Sequence, residues 1–269
     1  PKGCFSCIIS CGRVSKVKGK KYDSEGEGPE YEAAWAMGAD CGIDELEALT
    51  HNNHLCNDLG LDPISVGATV ACAMEMFEAG VITTKDTGGI DASFGNPNAL
   101  VELTELIGSR EGIGDKLAEG SYRFAEAFGH PEYSMSVKKQ EMPAYDPRGV
   151  QGIGLQYATS NRGGCHVKGY TIAVEVLGNK ANLDPRETKD KPFWTKLFQD
   201  LTAAIDSSGG CIFGTFGADG EDYAEMLTAL TGVEYSIEEY LAAGERIWNL
   251  ERLYNLNAGF SSKDDALPE

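Results

Sequence analysis

Positive charge is scarce in this chain of 269 residues: 23 Lys and Arg stand against 42 Asp and Glu, a formal net charge of −19. That balance disfavours a nucleic-acid partner, because a phosphate backbone would meet mostly like charge. Long apolar runs are missing as well. The stretch Pro63–Met74 is too short to span a bilayer, so no membrane partner is expected. There is no repeat of solenoid period and no low-complexity linker. A second closely spaced cysteine pair, which zinc sites usually bring, is also absent. With 42% apolar and 24% charged residues, the composition is globular and long enough for a substantial core. The chain opens on Pro1 and stops at Glu269 without a terminating signal, so it is expected to be an excerpt of a longer, cytoplasmic polypeptide.

The hydrophobic pattern predicts an all-α, multihelical fold of two helical lobes, residues 1–136 and 137–269, with a short extended segment after the N-terminal cysteine loop. Asp44 is expected to cap a helix ending near Gly60, and Asp62-Pro63 to open another that stops at Gly80. Further helices are expected over Asn98–Ile107, Gly114–Phe128 and Pro192–Ile205, the last with Trp194, Leu197, Phe198, Leu201 and Ile205 on one face. Ser236-Ile-Glu-Glu239 reads as a capping box for a long helix ending at Gly259. The segment His130–Pro147 is the best boundary candidate.

Eight cysteines are many for such a chain, and three fall in Cys4-x2-Cys7-x3-Cys11. Disulfide frameworks belong mostly to small secreted domains, so metal or redox chemistry is the better reading. A cubane iron–sulfur cluster takes one thiolate per iron, commonly three from a loop and one from far away. The order of spacings is the reverse of the radical-SAM pattern. A distant ligand could come from Cys41, Cys56, Cys72, Cys165 or Cys211; Cys72 lies in an apolar run that suits an inert core thiol, and spacing does not choose among the others.

Two loops share a frame. Asn57-Asp-Leu-Gly60-Leu61-Asp62 and Asp206-Ser-Ser-Gly209-Gly210-Cys211 each place an amide or carboxylate, two residues, Gly, one residue and a further polar group. Such a frame is first of all that of a helix cap, and it can also grip a heterocycle with donors and acceptors, such as a pterin. Asn161-Arg-Gly-Gly-Cys-His166-Val-Lys168 is a dense polar patch. Glu32, before Ala33-Ala-Trp-Ala-Met37, could sit at the edge of the core with a raised pKa and act as a base.

Together with Gly28-Pro-Glu-Tyr-Glu32 and Arg110-Glu-Gly-Ile-Gly-Asp-Lys-Leu-Ala-Glu-Gly120, these motifs resemble the tungstopterin-containing aldehyde ferredoxin oxidoreductase family from Gly3 to Leu267. The resemblance implies a 4Fe–4S cluster on Cys4, Cys7, Cys11 and Cys211, and a tungsten or molybdenum bis-pterin held by Asn57, Gly60, Leu61, Asp62, Lys168, Asp206, Gly209 and Gly210. It implies Glu32 and His166 as the catalytic carboxylate and imidazole, an aldehyde as substrate, ferredoxin as electron acceptor, and it leaves a homodimer open. Related readings are the catalytic subunit of an aromatic acyl-CoA reductase and a non-catalytic iron–sulfur or zinc scaffold. The sequence departs from the family at Asn57, where Asp is common, at Gly210, where Leu is usual, and at His51-Asn-Asn-His54, where some members ligate an interface metal. A site on Glu47, His51, His54 and Asp58 is therefore not expected. The family's N-terminal β-rich domain and final C-terminal stretch are not in this chain. Arg13, Lys16, Lys18, Lys20 and Lys21, just after the cysteine loop, suggest a docking patch for an acidic acceptor.

Overall fold

An Asp side chain can satisfy the free amides of a helix start and Pro63 has no amide to donate, so together they mark where a helix begins. In the computed structural model, which describes residues 1–19, 21–178 and 181–268, the Asp62 carboxylate accepts the Ile64 amide at 2.9 Å. The described chain separates into two compact units, Pro1–Ala144 with Pro268, and Tyr145–Leu267. Both are predominantly helical, which is the expected all-α class.

In the first unit, strands β1 (Val14–Val17) and β2 (Ser24–Glu27) form an antiparallel hairpin in which Lys16 faces Glu25. This is the extended segment expected after the cysteine loop. Helix α1 (Tyr31–Ala34) runs into a π-helical turn, Trp35–Ala39. Then come α2 (Leu46–Leu59), α3 (Pro63–Glu78), α4 (Pro97–Ser109), α5 (Gly114–Leu117) and α6 (Ser121–Ala127). Two expectations are corrected. Glu45, not Asp44, precedes α2 as its cap residue. The helix expected over Gly114–Phe128 is two helices, because Gly120 takes a left-handed φ of 87° and turns the chain. A second hairpin, β3 (Ser136–Val137) with β4 (Gln140–Glu141), closes the unit. The core gathers Met37, Leu49, Val70, Met74, Leu100, Leu103, Leu117 and Phe124 around α3.

The second unit contains α7 (Gln151–Thr159), α8 (Ile172–Glu175), α9 (Lys191–Ser207), α10 (Gly220–Thr231) and α11 (Ile237–Asn257). Ser236 caps α11 through the expected reciprocal box with Glu239. The α9–α11 crossing is closest at Gly244, where a Cβ would stand 1.9 Å from the backbone oxygen of Asp200. Only a residue without a side chain fits there, since backbone cannot swing away. Among the described residues no helix is long and apolar enough to cross a membrane.

One core-edge carboxylate carries a pH prediction. Burial first, and then Glu75, push the Asp40 carboxyl from 3.8 up to about 6. A folded-state pKa raised in this way gives stability that is complete below the unfolded value and is lost as pH rises through about 6. The loss is at most about 3 kcal/mol. Asp40→Asn is therefore expected to be the more stable chain at pH 8, with its advantage vanishing near pH 4. Urea unfolding across that range checks it; an advantage independent of pH would remove Asp40 as the cause.

Candidate functional site

The cysteine loop is tied at its base, where the Lys2 amide donates to the Gly12 carbonyl at 2.7 Å, and within itself by Cys7 N–H to the Cys4 carbonyl at 3.0 Å. Cys4, Cys7, Cys11 and Cys211 are exposed and unbridged, whereas Cys41, Cys56, Cys72 and Cys165 are buried. Burial pushes the Cys56 and Cys72 thiols up to about 12 and raises Cys41 as well. A metal ligand must be a thiolate, so these three buried thiols are poor donors. The side chains are not drawn into a finished centre: among the described residues no three His, Cys, Asp or Glu side chains converge into a metal-holding group.

The two sequence-related loops are built alike. At the end of α2, Gly60 is left-handed, its N–H reaches the Asn57 carbonyl at 3.3 Å, and Leu61 N–H reaches the Cys56 carbonyl at 2.8 Å. At the end of α9, Gly209 is left-handed, its N–H reaches the Asp206 carbonyl at 3.1 Å, and Gly210 N–H reaches the Ile205 carbonyl at 2.9 Å. Both are Schellman caps, which explains why Gly recurs in the frame. In each, the sixth position opens the next helical segment: Asp62 before α3 and Cys211 before the 3-10 turn Ile212–Phe216. Asn57 Nδ2 donates to the Glu27 carbonyl at 3.0 Å, and Leu61 packs half-buried on the core. Lys168 Nζ meets Asp206 Oδ2 at 2.8 Å, so the structure brings these two candidates together. The ring of Tyr223 lies against Gly210 and its hydroxyl donates to the Cys211 carbonyl at 2.9 Å. Nothing in the sequence around Tyr223 marks it for this place.

Glu32 is buried in the first turn of α1, and its Oε2 accepts the Ala144 amide at 2.8 Å. Burial raises its pKa, and the amide hydrogen bond opposes that without cancelling it. The polar patch of the second unit is anchored from both sides. Asn161 Nδ2 donates to the Trp248 carbonyl of α11 at 3.0 Å, and Gln156 Nε2 of α7 donates to the Cys165 carbonyl at 2.6 Å. The patch presents half-buried His166 with its ring centroid 6.0 Å from that of Tyr145.

On the helix that carries His51 and His54, the second histidine is held by the first hairpin. Both ring nitrogens of His54 are engaged at 2.9 Å by hydroxyls of the first hairpin, Nε2 by Ser15 and Nδ1 by Ser24. Two residues of the basic patch, Arg13 and Lys16, are paired with nearby acids. Lys16 pairs with Glu25 across the strands, Arg13 meets Glu30 at 3.5 Å, Lys2 pairs with Glu27, and Lys21 donates to Asn98. Lys20 lies outside the described residues. Cross-strand register sets Lys16 directly opposite Glu25. The Arg110–Gly120 motif has a structural use: Arg110 caps α4 and pairs with Asp115 at 2.9 Å and Glu119 at 2.6 Å.

Comparison with known proteins bears on this arrangement. Residues 1–269 match the family described as "Aldehyde ferredoxin oxidoreductase, domains 2 & 3". The chain is 52% identical over 271 residues to the tungsten-containing aldehyde ferredoxin oxidoreductase of Pyrococcus furiosus, covering 100% of this chain and 44% of that protein. Its counterpart in Thermococcus kodakarensis is 52% identical over 269 residues, covering 99% of this chain and 44% of the relative. An "Aliphatic sulfonate oxidoreductase, WOR-like subunit" of Pyrococcus furiosus is 29% identical over 265 residues, covering 95% of this chain and 39% of that protein. The chain thus spans less than half the length of these relatives. Among solved structures, the active site complex BamBC of benzoyl coenzyme A reductase with 1,5-dienoyl-CoA superposes with a TM-score of 0.79 at 19% identity, covering 99% of this chain and 46% of that one. At that identity the likeness shows the fold alone. With the family match extending from the first residue to the last, this chain belongs to the aldehyde ferredoxin oxidoreductase family, in the part described as its domains 2 and 3.

Proposed function

We propose that this chain is the cluster-bearing and pterin-bearing part of a tungsten or molybdenum oxidoreductase that converts aldehydes to carboxylic acids and delivers the electrons to ferredoxin. The observation that carries the reading is the sorting of the cysteines. The four exposed thiols, Cys4, Cys7, Cys11 and Cys211, are the four that the family resemblance selects as cluster ligands, while the other four are buried. The residues present fit both groups by their chemistry. Four accessible thiols suit a 4Fe–4S cluster, and two Schellman caps with flanking Asn57, Asp62, Asp206 and Lys168 offer the donors and acceptors that paired pterins need. The relatives at 52% identity bear the name of the tungsten-containing aldehyde enzyme, which favours an aldehyde over an acyl-CoA as substrate.

When bound, the metal–pterin group would supply the two-electron acceptor and the cluster would supply the single-electron route onward. The chain's own contribution is to hold protons and orient groups. Glu32, buried and fixed by the Ala144 amide, is the base that takes a proton from the attacking water. His166, on its anchored loop, is the hydrogen-bond donor for the substrate oxygen.

Metal analysis for Fe, W, Mo and Zn on anaerobically purified protein, with EPR of the reduced sample, tests the reading. The expected result is about four irons per chain and a reduced-cluster signal. Zinc in place of iron, or no metal even in the longer natural protein, would overturn it and leave a non-catalytic scaffold.

A further inference from the structure

We propose that Tyr223 is the positioning residue of the distal cluster thiolate, a reading that rests on Cys211 being a cluster ligand. A thiolate supplied from far along the chain needs its backbone fixed by something other than the three-cysteine loop. The structure supplies that at Cys211 from α10. A capping box fixes the first turn of this helix: Asp219 accepts the amides of Glu221 and Asp222, and Asp222 Oδ2 accepts the Asp219 amide at 2.7 Å. Tyr223 follows directly, so its direction of approach is set by the helix start.

The side chain then enters the loop around Cys211 at three points. Its hydroxyl donates to the Cys211 carbonyl at 2.9 Å, and the same carbonyl accepts Gly214 N–H at 2.9 Å. The ring edge occupies the space beside Gly210, where a Cβ would come within 2.8 Å of Cε1. The hydroxyl occupies the space beside Gly214, where a Cβ would come within 2.3 Å of it. The residues at 210 and 214 must therefore lack side chains for Tyr223 to reach the carbonyl between them. This also accounts for Gly210 at a position where Leu is usual in the family, since the apolar surface is supplied by an aromatic ring from another helix. The exposed Cys211 thiol is left on a backbone held from both sides.

The test uses the iron-loaded holoprotein. Tyr223→Phe keeps the ring and removes the tyrosine's hydrogen bond to the Cys211 carbonyl, leaving that from Gly214 N–H. The expected result is unchanged iron content on purification, a changed EPR line shape of the reduced cluster, and iron release to a ferrous chelator faster by about 3- to 10-fold, the factor an ordinary hydrogen bond confers. Arg252→Met, which breaks the ion pair with Asp265 near the end of α11, is the control for a merely structural effect and is expected to leave the EPR line shape intact. An unchanged spectrum and release rate in Tyr223→Phe, or an equal change in Arg252→Met, overturns the proposal. Cys211→Ser separates the two levels. If its cluster spectrum matches the wild type, the ligand assignment fails and Tyr223's role with it. If Cys211→Ser alters the spectrum and Tyr223→Phe does not, the tyrosine proposal alone fails.

Discussion

Lys191→Met is expected to cost about 3–5 kcal/mol of stability, because it strands a buried carboxylate. Lys191 Nζ lies 2.6 Å from Glu175 Oε1, with side chains 3% and 0% exposed. The ammonium also donates to the Asp184 carbonyl at 2.7 Å, and Glu175 Oε1 accepts the Gly152 amide at 2.8 Å. One pair thereby joins α7, α8, the segment before α9 and α9 itself. Lys191, a cation in the first turn of α9, opposes that helix's dipole, and Glu175 is a buried carboxylate. Each offsets the other, so neither is tolerable alone. The carboxylate has no spare room, since a Cβ on Gly152 would come within 2.5 Å of Glu175 Oε2. Against a total stability of about 5–15 kcal/mol for a domain, losing the pair's cation is a large change. The double variant Lys191→Met with Glu175→Gln is expected to recover most of the loss, because the remaining amide is uncharged and keeps an acceptor for Gly152. Denaturant unfolding followed by a probe in the second unit measures both. A single variant costing under about 1 kcal/mol would mean the pair is solvated and contributes as a surface bridge does.

The helices that announce their own ends were the legible ones. Asp62-Pro63 and the Ser236–Glu239 box each carry a side chain that satisfies orphan amides, so local chemistry alone places the start. Where a terminus or turn depends on partners distant in sequence, local reading fails. Helix α7 has no clear local signal because Gly152 and Gly154 interrupt its pattern; they are needed there for close contact with Glu175 and Pro147. Helix α10 hides its start because its box uses Asp222 where Glu or Gln is the usual signal. The turn of the second hairpin is made by Lys138 and Lys139 at φ 51° and 65°, a conformation that normally calls for Asn or Gly. The candidate site divides the same way. Its loops were visible because a Schellman cap demands Gly at a fixed offset, and its cysteines because thiols are rare and closely spaced. The exposure that separates Cys211 from Cys41, Cys56, Cys72 and Cys165, and the hydroxyl of Tyr223 on the Cys211 carbonyl, are tertiary facts with no local signature.

Glu32→Gln in the full-length loaded enzyme is expected to lower turnover by roughly 10²- to 10⁴-fold, the usual worth of a general base, with Fe and W content unchanged. The substitution is nearly isosteric and keeps a carbonyl oxygen to accept the Ala144 amide, so the local fold should survive it. What disappears is the capacity to take a proton. The wild-type pH profile carries the same assignment. Burial raises the Glu32 pKa above the ordinary carboxylate range, and the base works only when ionised. The rate should therefore fall as pH drops through that raised value, so the acid limb of kcat/KM should lie at a higher pH than an exposed glutamate would give. In Glu32→Gln that limb should vanish while the small residual rate persists. Three measurements together decide it: turnover, metal content and the acid limb. Full turnover in the variant would remove Glu32 from proton transfer. Loss of turnover with loss of metal would mean that it serves the cofactor's retention instead. A residual rate that keeps the wild-type acid limb would assign the titration to another group, of which His166, on its anchored loop in the second unit, is the next to test.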